Sequence, residues 1–165
     1  ILMTPKKKEL QNLNGAKFFT EHVFEEINLP VNNFFVAKEK NKFNIYNLTK
    51  PTFSKKGLFS ANSDGKYWYL QNKKGLNVYD LSIENFLFTI QANRATSFGI
   101  NFLTENEEGK GLADPNGQEI LAMQYEEITA TILPDLLYVV RNEKGAYFKL
   151  SARSFVWKED GFDAL

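Results

Sequence analysis

Apolar positions recur along this chain in short alternating or unbroken runs of Phe, Tyr, Ile, Leu and Val, and the gaps between them hold Asn, Gly, Lys and Asp. Runs of that length and period, bounded by turn formers, predict β-strands. The expected strands are 16–20, 33–38, 43–48, 57–61, 66–71, 76–81, 86–91, 98–104, 119–122, 125–130, 136–141, 146–150 and 154–158. Asn14-Gly15, Asp64-Gly65 and Asn116-Gly117 are strong hairpin signals, because both residues of each pair tolerate positive φ. Lys74-Gly75, Glu108-Gly109 and Lys144-Gly145 are weaker forms of the same device. No stretch sustains an apolar stripe at helical spacing over three turns. The clearest local unit is the meander 57–81, GLFSA-NSDG-KYWYLQ-NKKG-LNVYDL. Hairpin after hairpin, with no helix to cover a parallel sheet, predicts an all-β antiparallel fold.

An internal repeat organises these strands. The segment from Leu10 to Leu48 aligns with that from Leu112 to Leu150 with a one-residue shift on either side of Phe24–Ile27. Asn14-Gly15 falls on Asn116-Gly117, Phe24-Glu25-Glu26-Ile27 on Tyr125-Glu126-Glu127-Ile128, Tyr46 on Phe148, and Leu48 on Leu150. The offset of 102 residues between Leu10 and Leu112 leaves room for further degenerate units. Units that cannot close a core alone stack on their neighbours, so the expectation is a propeller-like or open stacked β array. Residues 1–8 read as an extension, and 9–165 as one domain of units at about 9–56, 57–108 and 109–165.

The stretch 109–128, GKGLADPNGQEILAMQYEEI, resembles the WG-repeat family. Gly111 takes the place of the repeat glycine, Asp114 that of the turn aspartate, and Gly117 that of the second glycine. Tyr125 and Glu126-Glu127-Ile128 take the aromatic and acidic-aliphatic tail. Lys144-Gly145-Ala146-Tyr147 looks like the next unit, one step of 34 residues after Gly111. Lys110 and Lys144 stand where the family's tryptophan belongs, and Ala122-Met123 replaces its proline region. The resemblance implies a bacterial β-rich module and no catalytic residues, the family's motif being structural.

Composition removes several chemistries. The 165 residues are 43% hydrophobic and 24% charged, which is the profile of a folded globular chain. Without cysteine there are no disulfides, thiolate metal sites or cysteine nucleophiles. The lone histidine, His22, leaves no His cluster for zinc and allows a Ser-His-Asp triad only through itself; it reads as a surface or satisfied histidine. No run approaches the roughly 18 apolar residues of a membrane helix. The opening Ile1-Leu2-Met3-Thr4-Pro5 reads as part of a longer or processed chain, and nothing fixes the compartment, cell envelope or cytoplasm.

Charge balances only overall. Residues 1–75 hold thirteen lysines against six acidic residues, and 76–165 hold seven basic against fourteen acidic, that is +7 and −7. Such polarity steers partners or favours contacts between copies. The basic half has no arginine to fork onto phosphates, which argues against nucleic acid.

Site candidates are few. The pairs Glu25/Glu26 and Glu126/Glu127 are carboxylates, but strand neighbours point to opposite faces, so neither pair meets one substrate. Glu105, Glu107, Glu108 and Asp114 lack the spacing of a calcium loop. Glycine-rich phosphate loops are missing, and Asn47-Leu48-Thr49 matches the glycosylation triplet. Tyr67, Trp68 and Tyr69 put rings on both faces of a strand, which favours core packing between layers. The expected function is a non-enzymatic protein-interaction or scaffold module of a larger bacterial assembly, without cofactor or metal. The alternative is a module binding a glycan or envelope polymer through Tyr67, Trp68 and Tyr69 as stacking platforms.

Overall fold

The computed structural model describes residues 2–4, 7–11, 17–18, 24–28, 30–49 and 53–163, with side chains from residue 24 onward except 29 and 50–54. Among the described residues there are nineteen strands and no helix. None therefore is a helix long and apolar enough to cross a membrane. The chain divides into two compact units, Ile1–Thr89 and Ile90–Leu165. Asn14-Gly15 and His22 lie outside the described residues.

The first unit opens with β1 (Leu2–Thr4), β2 (Lys7–Gln11) and β3 (Lys17–Phe18), an antiparallel three-stranded sheet. Two four-stranded meanders follow. One is β4 (Glu26–Ile27), β5 (Phe34–Glu39), β6 (Lys42–Asn47) and β7 (Phe53–Leu58); the other is β8 (Ser60–Ser63), β9 (Tyr67–Asn72), β10 (Gly75–Asp80) and β11 (Phe86–Ile90). Two more meanders make up the second unit. These are β12 (Arg94–Phe98), β13 (Asn101–Glu105), β14 (Lys110–Ala113) and β15 (Glu119–Tyr125), then β16 (Glu127–Ala130), β17 (Leu136–Arg141), β18 (Lys144–Lys149) and β19 (Ser154–Lys158). Every pairing is antiparallel and follows chain order, as the sequence pattern predicts.

The period is legible in the first strands, which begin at Glu26, Ser60, Arg94 and Glu127, steps of 34, 34 and 33 residues. The Gly111-to-Gly145 step of 34 has the same length, and 102 is three such steps. The paired pairs Val36↔Ile45, Tyr69↔Val78, Leu103↔Leu112 and Tyr138↔Tyr147 occupy one equivalent place in the four sheets. The sequence alignment of the two glutamate pairs also has a structural counterpart. The Glu25 N–H donates to the Lys38 carbonyl (2.8 Å) as the Glu126 N–H donates to the Val140 carbonyl (2.9 Å). Phe24 and Tyr125 before them, and Ile27 and Ile128 after them, are buried.

Apolar faces explain the stacking within each unit. In the first, Phe34, Val36 and Ile45 of one sheet pack on Ala61, Trp68 and Leu70 of the next. The opposite face of the first of these sheets is also closed, by Phe24, Phe35, Ala37 and Tyr46; Phe35 and Tyr46 stack at 5.1 Å between ring centroids. In the second unit, Leu112, Leu121 and Tyr125 pack on Ile128, Leu137, Val139 and Phe148. Each such buried side chain contributes about 1.5–3 kcal/mol. Buried Tyr46 donates its hydroxyl to Glu39 Oε2 (2.6 Å). Burial first, and then Glu39, pushes that phenol far above its ordinary range, so it stays protonated as a donor.

Four sequence expectations need correction. The run 57–61 is not one strand: the chain turns between sheets at half-exposed Phe59. Likewise 125–130 breaks at Glu126 into the end of one sheet and the start of the next. The expected strand 98–104 is the hairpin of β12 and β13, turning at Gly99-Ile100; most of β12, with the polar run Arg94-Ala95-Thr96-Ser97, and β14 carried too little apolar alternation to be foreseen. Lys144-Gly145 is not a turn either. The hairpin closes at Asn142-Glu143, both at positive φ (51° and 60°), and Lys40-Asn41 does the same job between β5 and β6.

Candidate functional site

Hairpins at one end of the second unit border a cavity of about 710 Å³, lying between the sheets β12–β15 and β16–β19. Its wall is mostly apolar: Phe98, Ile100, Pro115, Ile120, Leu137 and Leu150 contribute. The two-residue turn Gly99-Ile100, with φ +64° at the glycine, lifts Ile100 out until it is 77% exposed. Next to Pro134 in the wall, the 131–135 loop shows Ile132 at 99% and Leu133 at 57% exposure. Three exposed aliphatic side chains beside one apolar cleft form the kind of patch that marks an interaction surface.

The polar groups of the cleft hold its loops. The Asp114 carboxylate closes the β14–β15 turn: Oδ1 accepts the N–H groups of Asn116 and Gln118 (both 2.9 Å), and Gly117 sits at φ +80°. Oδ2 accepts from Arg153 Nη2 at 3.2 Å. Asp135 accepts the Ser151 N–H at Oδ1 (2.7 Å) and its hydroxyl at Oδ2 (2.6 Å), tying the β16–β17 loop to the β18–β19 loop. Thr131 Oγ1 donates to the Leu136 carbonyl (2.8 Å) and accepts the Leu133 N–H (3.1 Å), which fixes the arch carrying Ile132. These two carboxylates, the acidic groups of the lining, are each bonded into turns, and no histidine lies among the lining residues.

Both carboxylates titrate below the ordinary Asp range. For Asp114 the first cause is the Gln118 N–H, then those of Asn116 and Arg153; for Asp135 it is the Ser151 hydroxyl and then its N–H. A depressed folded value means that their stabilisation is complete above the ordinary Asp range and is lost as pH falls through the lower folded values. The melting temperature is therefore expected to fall on acidification from about pH 6 to about pH 2, and this slope should flatten in an Asp114→Asn/Asp135→Asn double variant. Thermal melts across that range check it; an unchanged slope would count against the loop-holding role.

A second cavity occupies the corresponding end of the first unit. It is smaller, about 410 Å³, and polar, with Asn47, Lys55, Ser82 and Glu84 in its wall. There Asn47 Oδ1 accepts both the N–H (2.8 Å) and the hydroxyl (2.7 Å) of Thr49, so the glycosylation triplet serves as a turn. Asn47, Asp80 and Asp114 are equivalent turn-closing residues at steps of 33 and 34. The apolar wall of the cleft in the second unit thus distinguishes it from this one.

The residues singled out from sequence lie elsewhere. Trp68 and Tyr69 are buried, and Tyr67 is half-buried. The Tyr69 hydroxyl donates to Asp64 Oδ2 at 2.6 Å. The Trp68 and Tyr69 rings are packed in the core, while Tyr67 keeps part of its ring at the surface. Glu26 pairs with Lys38 at 3.1 Å, and Glu127 accepts the Thr129 hydroxyl at 2.7 Å. Glu105, Glu107, Glu108 and Asp114 do not assemble into a metal cluster, and no such cluster occurs among the described residues. The cleft was missed because Ile100, Ile132 and Leu133 sit in turns, where apolar residues carry no period.

No protein-family model and no curated protein matches this sequence. Solved structures align with most of the chain at low identity. The N-terminal domain of Nup159 shares 13% identity over 82% of this chain and 43% of its own, with a TM-score of 0.43. The AfRom2 CNH domain shares 8% over 94% and 64%, with a TM-score of 0.43, and KlHsv2 with loop 6CD replaced by a Gly-Ser linker shares 8% over 93% and 60%, at 0.44. The chain spans less than two thirds of the length of each.

Proposed function

We propose that this chain is a non-enzymatic protein-interaction module, and that it seats an apolar side chain of a protein partner in the cleft between its last two sheets. The observation that carries the reading is the cleft of about 710 Å³ with Ile100 exposed in its wall and Ile132 and Leu133 exposed in the adjoining 131–135 loop. An apolar centre with an exposed rim is the anatomy of a protein-binding hot spot. The bonded state of Asp114 and Asp135 supports binding over hydrolysis, since both carboxylates are occupied in holding loops. The WG-repeat resemblance of 109–147 supports a divergent bacterial repeat module working inside a larger assembly, in the envelope or the cytoplasm.

Selection on the immobilised protein from a phage-displayed library of random peptides tests this reading. The expected result is enrichment of peptides with a bulky apolar residue, and at least a tenfold loss of their affinity for an Ile100→Asp/Ile132→Asp variant with an unchanged circular dichroism spectrum. Ile100 and Ile132 are exposed, so these changes leave the fold intact. No enrichment, or peptides that bind the variant equally well, would overturn it.

A further inference from the structure

The turns that join the last two strands of the four-stranded sheets are variations on one device. Asn47-Leu48-Thr49, Asp80-Leu81-Ser82 and Lys149-Leu150-Ser151 stand at equivalent places, each leading into a phenylalanine, Phe53, Phe86 and Phe155. Asn47 Oδ1 accepts the N–H and hydroxyl of Thr49, and Asp80 Oδ1 accepts those of Ser82 (3.0 and 2.6 Å). Asp114 likewise holds the N–H of Asn116, two residues on. A side-chain oxygen two residues before the donor closes an Asx turn. At the fourth place stands Lys149, whose ammonium has donors and no acceptor.

The missing acceptor comes from the neighbouring hairpin. Asp135, in the β16–β17 loop, takes both the Ser151 N–H (2.7 Å) and the Ser151 hydroxyl (2.6 Å). Its own carbonyl accepts the Leu150 N–H (2.9 Å), as the Asn33 carbonyl accepts the Leu48 N–H (2.8 Å) at the equivalent place in the first unit. The backbone link is thus common to both places, and the side-chain link differs. Thr49 is held from within its own turn, whereas Ser151 is held by another loop.

That difference bears on the cleft because both loops are in its wall. Pro134 and Asp135 belong to one, and Leu150, Ser151 and Arg153 to the other. Exposed Ile132 and Leu133 stand just before Asp135 in the same arch. An acceptor inside the β18–β19 turn would shape that turn without touching the arch. An acceptor on Asp135 shapes the turn only by drawing the arch onto it.

We propose that Asp135 is the positioning residue of the cleft: it supplies the acceptor that the fourth turn lacks, and so sets where the arch with Ile132 and Leu133 meets a partner's apolar side chain. The proposal rests on the reading of the cleft as a protein-binding site.

Amide hydrogen exchange and peptide affinity, measured on Asp135→Ala and on Asp135→Ala/Lys149→Asp, test it. The double variant places an acceptor where Asp80 stands in the second sheet. Asp135→Ala should speed exchange of the Leu150 and Ser151 amides about tenfold or more, and weaken a library-selected apolar peptide by a similar factor. Adding Lys149→Asp should restore the melting temperature and the protection of Ser151, while Leu150 stays fast and the peptide stays weak. Affinity that returns together with the melting temperature overturns the proposal, because Asp135 then only folds the turn. An Asp135→Ala variant that binds as the parent does overturns it too, and so does Leu150 exchange that recovers with Ser151. A parent chain that selects no apolar peptide, yet shows the expected exchange pattern, removes the cleft reading and the positioning role with it, and leaves the tie between the loops standing.

Discussion

Trp68→Ala should cost about 3–5 kcal/mol of stability, the range for emptying a large aromatic site in a core. Trp68 is 1% exposed and sits between Val36 and Ile45 of one sheet and Leu70 of its own. Alanine leaves a cavity between two sheets, which cannot close while their ladders hold them apart. Trp68→Phe should cost clearly less. The indole Nε1 is buried without a hydrogen-bond acceptor, so phenylalanine keeps most of the contact area and removes an unpaired donor. Urea unfolding followed by far-ultraviolet circular dichroism measures both. A cost below about 1 kcal/mol for the alanine variant would remove Trp68 from the core and favour the stacking-platform reading.

Gly111→Ala is the second large effect, and it separates two glycines that the sequence makes look alike. A Cβ at Gly111 would lie 2.7 Å from the Leu121 carbonyl oxygen and 2.9 Å from the Met123 nitrogen, both backbone atoms of the adjacent β15. Backbone in a ladder has nowhere to go, so overpacking should cost about 1–3 kcal/mol, toward the upper end. A Cβ at Gly145 would meet the Tyr138 ring and hydroxyl, the far end of a side chain that can swing outward. Gly145→Ala should therefore be the milder change. It would also disturb the Tyr138–Tyr147 contact, so a local change in tyrosine packing with little loss of stability is its expected signature. Denaturation of the two variants side by side decides the order, and the reverse order would contradict the close approach of β14 and β15.

The ladder architecture was legible in the sequence because alternation and turn chemistry are local. Residues 136–141 and 154–158 are strands to the residue, and the 57–81 meander holds three consecutive strands of one sheet. What the alternation hid was where one sheet ends and the next begins. Phe59 and Glu126 interrupt runs that read as continuous, since a single-residue kink leaves no compositional mark. A finer repeat was also present and unread: Phe43-Asn44-Ile45-Tyr46-Asn47 matches Leu76-Asn77-Val78-Tyr79-Asp80 at a step of 33. In both, the asparagine is buried and hydrogen-bonded, Asn44 with Glu39 and Gly57, and Asn77 with the Leu70 carbonyl and Thr89. The candidate cleft was not legible at all. It arises where loops of four different hairpins converge, and convergence is a property of register and stacking rather than of any motif.

Partner binding through that cleft is tested most directly by backbone amide chemical shifts, recorded while a library-selected apolar peptide is added to the isotope-labelled chain. The expected result is a set of perturbed amides confined to 99–101, 114–118, 131–136 and 150–153, with Trp68 and Tyr69 unmoved. Perturbations centred on β8–β10, or spread evenly over both units, would contradict it.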